Sequence, residues 1–350
     1  MIDFLKNELS AWEYLKSLKL PIMMYGMGNG ADSICAKLEA EGLDVSEYFA
    51  SDDFVRGQSF HGKRVKKLSD IEAEYDNFVI VIAFGTQLFN VMDRIKSIAN
   101  RHTVIVPTMP VYGNNIFDKK FVNEHEDDIL KVCELFEEEI SKNIYRDIIK
   151  FQFTGKLEYL ISCESSKDEA YQNILNLGDN ESYLDLGAYR GDTVDEFLKY
   201  TNGNYENITA LEPDPKSFKK LVEHCQNLHD FTACNAAVWS ENCEIFFDKK
   251  GGRMSSASKC GVPISAITID SLNQPFTYIK MDVEGSEKCA ILGGINTIEK
   301  YKPKLNIALY HRGEDIFTLP LLIHKIQPGY KLFIRHHPYI PAWDTNLYCI

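Results

Sequence analysis

The chain has 350 residues, enough for two domains that each bury a core, and its 45% apolar and 25% charged residues are those of an ordinary globular protein. A formal net charge of −13 argues against a nucleic-acid partner, because phosphate backbones are met by clustered Lys and Arg. Nine cysteines stand singly, with no C-x-x-C pair, which points to neither a zinc ribbon nor a disulfide framework and fits a reducing cytoplasm.

Residues Met1-Ile2-Asp3-Phe4-Leu5-Lys6 carry charges where a secretory signal needs an apolar run. A helix is expected over 11–20, closed by Pro21, then an apolar strand running into Gly26-Met27-Gly28-Asn29-Gly30-Ala31 and a helix to about Gly42. Strands are expected at 45–50, 78–84 and 103–106. The run Phe78–Phe84 is the longest apolar stretch; it suits a buried strand and is far too short to span a membrane. This alternation predicts a parallel sheet in a first domain over 1–115. Gly26-x-Gly28-x-x-Ala31 fits the dinucleotide fingerprint, with Asp52 or Asp53 as the following acid. It leaves open a nucleotide or nucleotide-sugar site, against a module that recognises an acceptor or pairs two copies of the chain. Residues 116–165 are charged and helix-prone, a helical connector in which Glu137-Glu138-Glu139 reads as a solvated face.

From 166 to 350 the alternation restarts, with strands expected at 182–186, 208–212, 231–234, 277–282, 304–310, 330–335 and 345–349. The fold class is therefore α/β with two Rossmann-like domains, the second a seven-stranded, mostly parallel sheet ending in an antiparallel hairpin. Three of its strand ends carry polar groups suited to one ligand. The first runs Asp185-Leu186-Gly187-Ala188-Tyr189-Arg190-Gly191-Asp192-Thr193, with glycines four apart in place of the G-x-G-x-x-G that cradles a pyrophosphate. Asp185 and Asp192 repel an anion and tolerate a cation. The second is Glu212-Pro213-Asp214-Pro215, an acid able to accept both hydroxyls of a ribose. The third is Asn235-Ala236-Ala237, an amide for an adenine edge beside small residues. A fourth strand brings Lys280, Asp282 and Glu284 onto one side by strict alternation, costly on a central strand unless paired or used.

Together with Ile269-Asp270-Ser271-Leu272 and Ile279-Lys280-Met281-Asp282-Val283-Glu284-Gly285-x-Glu287, these motifs resemble the FkbM-type methyltransferase family over roughly residues 180–312. The resemblance implies a class I methyltransferase fold, S-adenosylmethionine as donor and O-methylation of a small-molecule or carbohydrate hydroxyl. Tyr189-Arg190 departs from the family's turn, where Asn and a small apolar residue are usual. The expected cofactor contacts are Asp185, Gly187, Ala188, Tyr189, Gly191, Asp192, Thr193, Glu212, Pro213, Asn235, Ala236 and Asp282. Candidate bases for the hydroxyl proton are Asp282, Glu284 and His311. Asp282 and Glu284 also suit a divalent cation, but the sequence names no third ligand, and no metal site is assigned. His336-His337 has no spaced metal partner, and 251–258 reads as a lid or acceptor loop. The competing reading is an NAD-linked oxidoreductase or nucleotide-sugar enzyme using the first domain. A scaffold that has lost turnover is disfavoured, since Asp282, Glu284 and His311 are all present.

Overall fold

The computed structural model describes residues 2–248, 256–258 and 262–350; most of the expected loop at 251–258 lies outside them. Ser10 and Glu13 close a capping box on helix α1 (Ala11–Leu18). There follow β1 (Ile22–Tyr25), α2 (Asn29–Ala40), β2 (Val45–Phe49), the short hairpin β3 (Ser59–Phe60) and β4 (Lys63–Arg64), α3 (Leu68–Glu74), β5 (Val79–Ile82), α4 (Phe89–Ala99) and β6 (Thr103–Ile105). Strands β2-β1-β5-β6 form a parallel sheet in that order. The runs Ile22-Met23-Met24-Tyr25 and Val79-Ile80-Val81-Ile82 are buried at every position, as central parallel strands covered on both faces must be.

The expected connector consists of α5 (Lys119–Glu124), α6 (Glu126–Leu135), α7 (Glu139–Thr154) and α8 (Leu157–Ser162), after which α9 (Lys167–Glu169) continues into a wider turn over Ala170–Leu175. These helices do more than connect. One continuous core runs from Met23, Ile80 and Ile82, through Ile144, Ile148 and Phe151, to Leu184, Ile279 and Leu305, so α5–α8 are a layer shared by both sheets.

The second sheet contains β7 (Ser182–Leu186), β8 (Asn207–Leu211), β9 (Phe231–Cys234), β14 (Tyr278–Met281), β15 (Lys304–Ala308), β16 (Leu332–His336) and β17 (Thr345–Cys349). Its order is β16-β17-β15-β14-β7-β8-β9; β15 through β9 pair in parallel, and β17 runs antiparallel to both β15 and β16. Helices α10 (Asp192–Tyr200), α11 (Pro215–Cys225), α12 (Glu287–Leu292), α13 (Ile295–Tyr301) and α14 (Asp315–Ile326) make the crossovers. Where the sequence offered one strand-like segment near 264–269, the structure has a second sheet between β9 and β14. It is built from β10 (Ala237–Val238), β11 (Cys243–Asp248), β12 (Ser256–Ser258) and β13 (Val262–Ile267), in the order β10-β13-β11-β12. The expected strand 277–282 ends at Met281, so only Lys280 of the three alternating charges lies within it; Asp282 and Glu284 belong to the loop beyond.

Arg335 on β16 is 2% exposed. Its guanidinium bonds Glu169 at 2.6 and 2.8 Å, Glu138 at 2.6 Å and Ser141 Oγ at 2.9 Å, tying the start of α7 and α9 to the sheet. Removing one member of such a set leaves charges without their partner. Arg335→Ala is expected to lower the unfolding free energy by about 3 kcal/mol, the low end for a broken buried pair because both carboxylates keep some solvent. Urea unfolding of the purified variant measures it, and a loss under about 1 kcal/mol would show that Arg335 is not the tie described.

Candidate active site

A cavity of about 290 Å³ opens at the carboxyl ends of β7, β8, β14 and β15, where open parallel sheets bind ligands. Its first wall is the turn after β7. Gly187 has φ 87°, and a Cβ there would stand 2.0 Å from the Asp282 carbonyl oxygen, so only glycine lets the ends of β7 and β14 meet. Tyr189 takes the left-handed conformation, φ 47°, without being glycine. Its N–H donates to Glu212 Oε2 at 2.9 Å. Asp185, Ala188 and Gly191 are buried beneath this turn, while Gly187, Tyr189, Asp192 and Thr193 face the cavity. Asp185 accepts from the Thr193 hydroxyl through Oδ2; its Oδ1 has no partner, and burial pushes the carboxyl up to about 6. Asp185 therefore shapes the turn from below, a correction to its expected place in the contact set.

Glu212 follows β8 and is 6% exposed. Oε1 accepts the Asp214 N–H at 2.8 Å and Oε2 that of Tyr189. Two backbone donors fix the carboxylate and leave further lone pairs toward the cavity. Burial outweighs those bonds and pushes its pKa up to about 7. Asn235 is a second correction: it is exposed, and its Nδ2 donates to the carbonyls of Glu212 at 2.8 Å and Pro213 at 3.2 Å. Its amide buttresses the acid's backbone, and the wall itself is made by Pro213, Ala236 and Ala237.

The opposite wall carries the charged cluster. Lys280 is buried with Nζ 3.6 Å from Asp282 Oδ2. Burial alone would lower its pKa, but Asp282, Asp185 and Glu196 outweigh it and hold the ammonium above its ordinary value. Asp282 Oδ1 accepts from Tyr310 Oη, and Glu284 Oε2 from Tyr112 Oη, each at 2.9 Å. Glu284 also sits at φ 54°; non-glycine backbone held in that region concentrates at working sites. His311, 1% exposed, places Nδ1 2.8 Å from Glu287 Oε1. Its Nε2 has no hydrogen-bond partner and faces Glu284 at 3.5 Å and Asp282 at 3.6 Å. Burial favours the neutral ring, yet Glu287 and Glu284 together hold the imidazolium well above its ordinary pKa. Behind it, burial and Glu287 push Asp315 up to about 8.

Sequence reasoning missed several groups here. Lys167, ion-paired to Glu196 at 2.9 Å, lines the cavity along with Tyr171, Tyr310, Tyr348 and Asp344. Glu287 stood in a quoted motif with no role attached; helix periodicity from the end of β14 was the signal that could have turned it toward His311. Gln87 and Val111 of the first domain, with Tyr339 and Trp343 of the β16–β17 loop, complete the rim. That loop docks on the first domain through reciprocal backbone bonds between Thr86 and Ile340 at 2.7 and 2.9 Å. Among the described residues, seven carboxylates (Asp192, Glu196, Glu212, Asp214, Asp282, Glu284 and Asp344) and two lysines line the cavity. That balance favours a cationic ligand.

Residues 185–330 match the methyltransferase FkbM domain. The chain carries a methyltransferase domain of this family. A solved structure of methyltransferase FkbM from Methylobacillus flagellatus KT is similar in fold over 99% of this chain and 96% of its own, with a TM-score of 0.73 and 20% identity. The likeness therefore extends through the first domain as well as the FkbM domain. Aeropyrum pernix fibrillarin, solved with natively bound S-adenosyl-L-methionine, matches over 50% of this chain and 69% of its own, with a TM-score of 0.31 and 10% identity. An rRNA methylase from Streptococcus thermophilus matches over 49% and 87%, with a TM-score of 0.33 and 13% identity. No curated protein matches the sequence.

Outside the FkbM domain, Gly28 stands at the N-cap of α2, while Asp52 and Asp53 form an exposed 3₁₀ turn. The two acids line a separate cavity with Tyr25, Ser51, Arg94 and Arg101, and the glycines of the turn do not reach it. His336 Nδ1 bonds Thr345 Oγ1 at 3.0 Å and His337 Nε2 bonds Tyr348 Oη at 2.8 Å. No described helix is long and apolar enough to cross a membrane.

The Glu212 shift makes a stability prediction. Its folded pKa of about 7 lies above the ordinary carboxyl value, so the folded state holds the extra proton and stability falls as pH rises between roughly 4.5 and 7. Glu212→Gln should flatten the difference in unfolding free energy between pH 5.5 and pH 8 by about 1–2 kcal/mol. An unchanged difference would mean that Glu212 titrates at its ordinary value.

Proposed function

We propose that this protein transfers a methyl group from S-adenosylmethionine to a hydroxyl of a small-molecule or carbohydrate acceptor. The observation that carries the reading is Glu212, held by the amides of Tyr189 and Asp214 and sharing one cavity with the turn after β7 and the Asp282 cluster. The residues fit the donor: an acid for vicinal ribose hydroxyls, small side chains at Ala236 and Ala237 beside it, and an acidic lining for a sulfonium. The donor supplies a methyl group on a cationic sulfur, displaced in line by the acceptor oxygen.

The chain's own contribution is positioning and proton handling. The Gly187–Asp192 turn and Glu212 fix the donor end, and orientation of this kind is worth up to roughly 7–11 kcal/mol in well-aligned cases. On the far wall, Asp282 is the group placed to meet the acceptor hydroxyl. Tyr310 orients its Oδ1, and Lys280 lies near Oδ2. His311 and Glu284 set the field around it. Gln87, Val111, Tyr339 and Trp343 enclose the acceptor side, giving the first domain a part in acceptor recognition, and the overall charge keeps nucleic acid out of the proposal.

Calorimetry with S-adenosylmethionine and S-adenosylhomocysteine tests the reading. Binding by the wild type is expected, with Glu212→Ala weaker by at least about 100-fold for two lost charge-assisted hydrogen bonds. Absence of binding, or a Glu212→Ala variant equal to wild type, would end it. With a competent acceptor, Asp282→Asn should cut kcat by about 10²–10⁴-fold while donor affinity stays within a few-fold. Unaltered turnover would remove Asp282 from the chemistry.

A further inference from the structure

We infer that Lys280 and Lys167 receive the α-carboxylate of the donor's methionine arm, so that the cavity selects donors that keep this group. The inference rests on the methyltransferase reading, and neither lysine belongs to the contact set expected from the sequence.

The acidic lining suits the sulfonium but not the whole donor. S-adenosylmethionine carries a sulfonium, an α-ammonium and an α-carboxylate on one arm. The cavity's carboxylates attract the first two and repel the third, unless a cation stands beside it. Among the described residues the lining offers Lys280, Lys167 and His311. His311 is enclosed by Glu287, Glu284 and Asp282, which leaves the two lysines.

Sheet register places Lys280. It pairs with Asp185 of β7 on one side and Asn306 of β15 on the other, so it stands on the cavity floor next to the strand that carries the donor turn. Lys280 is 8% exposed and lines the cavity. It has one ion pair, at 3.6 Å to Asp282 Oδ2, and no hydrogen bond among the described residues. A buried ammonium with its donors unfilled is costly, and a carboxylate oxygen entering from the cavity fills them. Lys167, at the start of α9, comes to the same region from the helix layer and pairs with Glu196 at 2.9 Å and Asp344 at 3.6 Å. Burial and, more weakly, Lys167 oppose the Lys280 charge, which Asp282, Asp185 and Glu196 sustain. The two ammoniums therefore lie close enough to repel, and one shared anion relieves both.

The span also fits. Glu212 lies two residues beyond Ala210, the partner of Asp185, and β8 is separated from β14 by β7, a lateral offset of about 10 Å. The methionine arm covers about 7 Å from ribose to carboxylate, at the length per bond of an extended chain. The ribose and the two side chains supply the rest. With the ribose hydroxyls on Glu212, the arm crosses the Gly187–Asp192 turn and ends over Lys280.

The test uses the full-length protein and calorimetry with two ligands. One is S-adenosylhomocysteine; the other is its decarboxylated analogue, S-adenosyl-3-thiopropylamine, which keeps the adenosine, sulfur and amine. The wild type is expected to prefer S-adenosylhomocysteine by about 10–100-fold, the worth of a charge-assisted hydrogen bond. Lys280→Met should weaken S-adenosylhomocysteine by the same factor and leave the analogue no weaker, so that the preference disappears. Lys280→Arg should keep most of it. Lys167→Met, on a partly exposed side chain that does not threaten folding, should narrow the preference by about three-fold or more. Glu212→Ala should weaken both ligands equally, since both keep the ribose. A wild type that binds neither ligand ends the donor reading and this inference with it. Equal affinity of the wild type for the two ligands, or a preference that survives Lys280→Met and Lys167→Met, overturns this inference alone and leaves the donor reading standing.

Discussion

The contact between Gly187 and the Asp282 carbonyl organises the whole site. A Cβ at 187 would come within 2.0 Å of that oxygen, and Asp282 in turn donates its N–H to the Leu186 carbonyl at 3.0 Å. The ends of β7 and β14 are thereby locked edge to edge. The Gly187–Asp192 turn hangs from the first strand end, and Asp282 and Glu284 hang from the second. Reactions that depend on alignment gain most from a joint of this stiffness, because small misplacements are costly when positioning supplies the acceleration.

Charge is the second constraint. Asp185, Asp282, Glu284, Glu287 and Asp315 lie around two buried cations, Lys280 and His311, whose pKa values are raised against the desolvation that would neutralise them. Burying so much acid is expensive, and the cost is tolerable only if positive charge arrives. A cationic ligand in the cavity would draw on this field. Such an arrangement spends folding stability on ligand affinity, which is why the shifted carboxyls cluster here.

Much of this was legible in the amino-acid order. Period-two and continuous apolar runs located the seven strands of the second sheet within a few residues, because six of them are short and buried almost throughout. The turn at 185–193 and the acid at 212 could be read because a strand end in a parallel sheet has one place to deliver its side chains. Asn235 misled for a physical reason: at a strand end an amide serves backbone carbonyls as readily as a ligand, and sequence does not distinguish the two. Glu287, Tyr112 and Lys167 escaped because their partners are set by tertiary contacts, across 24 residues for Glu287–His311 and 172 for Tyr112–Glu284. The small sheet between β9 and β14 escaped because β10 and β12 have only two and three residues, too few for any period to show.

Separation into a front domain, a connector and a catalytic domain describes the chain order better than the physics. The core is continuous through α5–α8, and Trp343 lies so close over Gly85 that a Cβ there would meet its ring at 2.3 Å. Tyr112, beyond the first sheet, reaches Glu284, and its ring packs against Gly285 and near His311. The first domain thus holds one member of the charged cluster in place and supplies part of the rim. A change in how that domain sits would move Glu284 and the acceptor wall together, while Glu212 and the donor turn, fixed to β7 and β8, would stay. The two walls of the cavity are thus held by different parts of the chain, a division that follows from which strand each group hangs on.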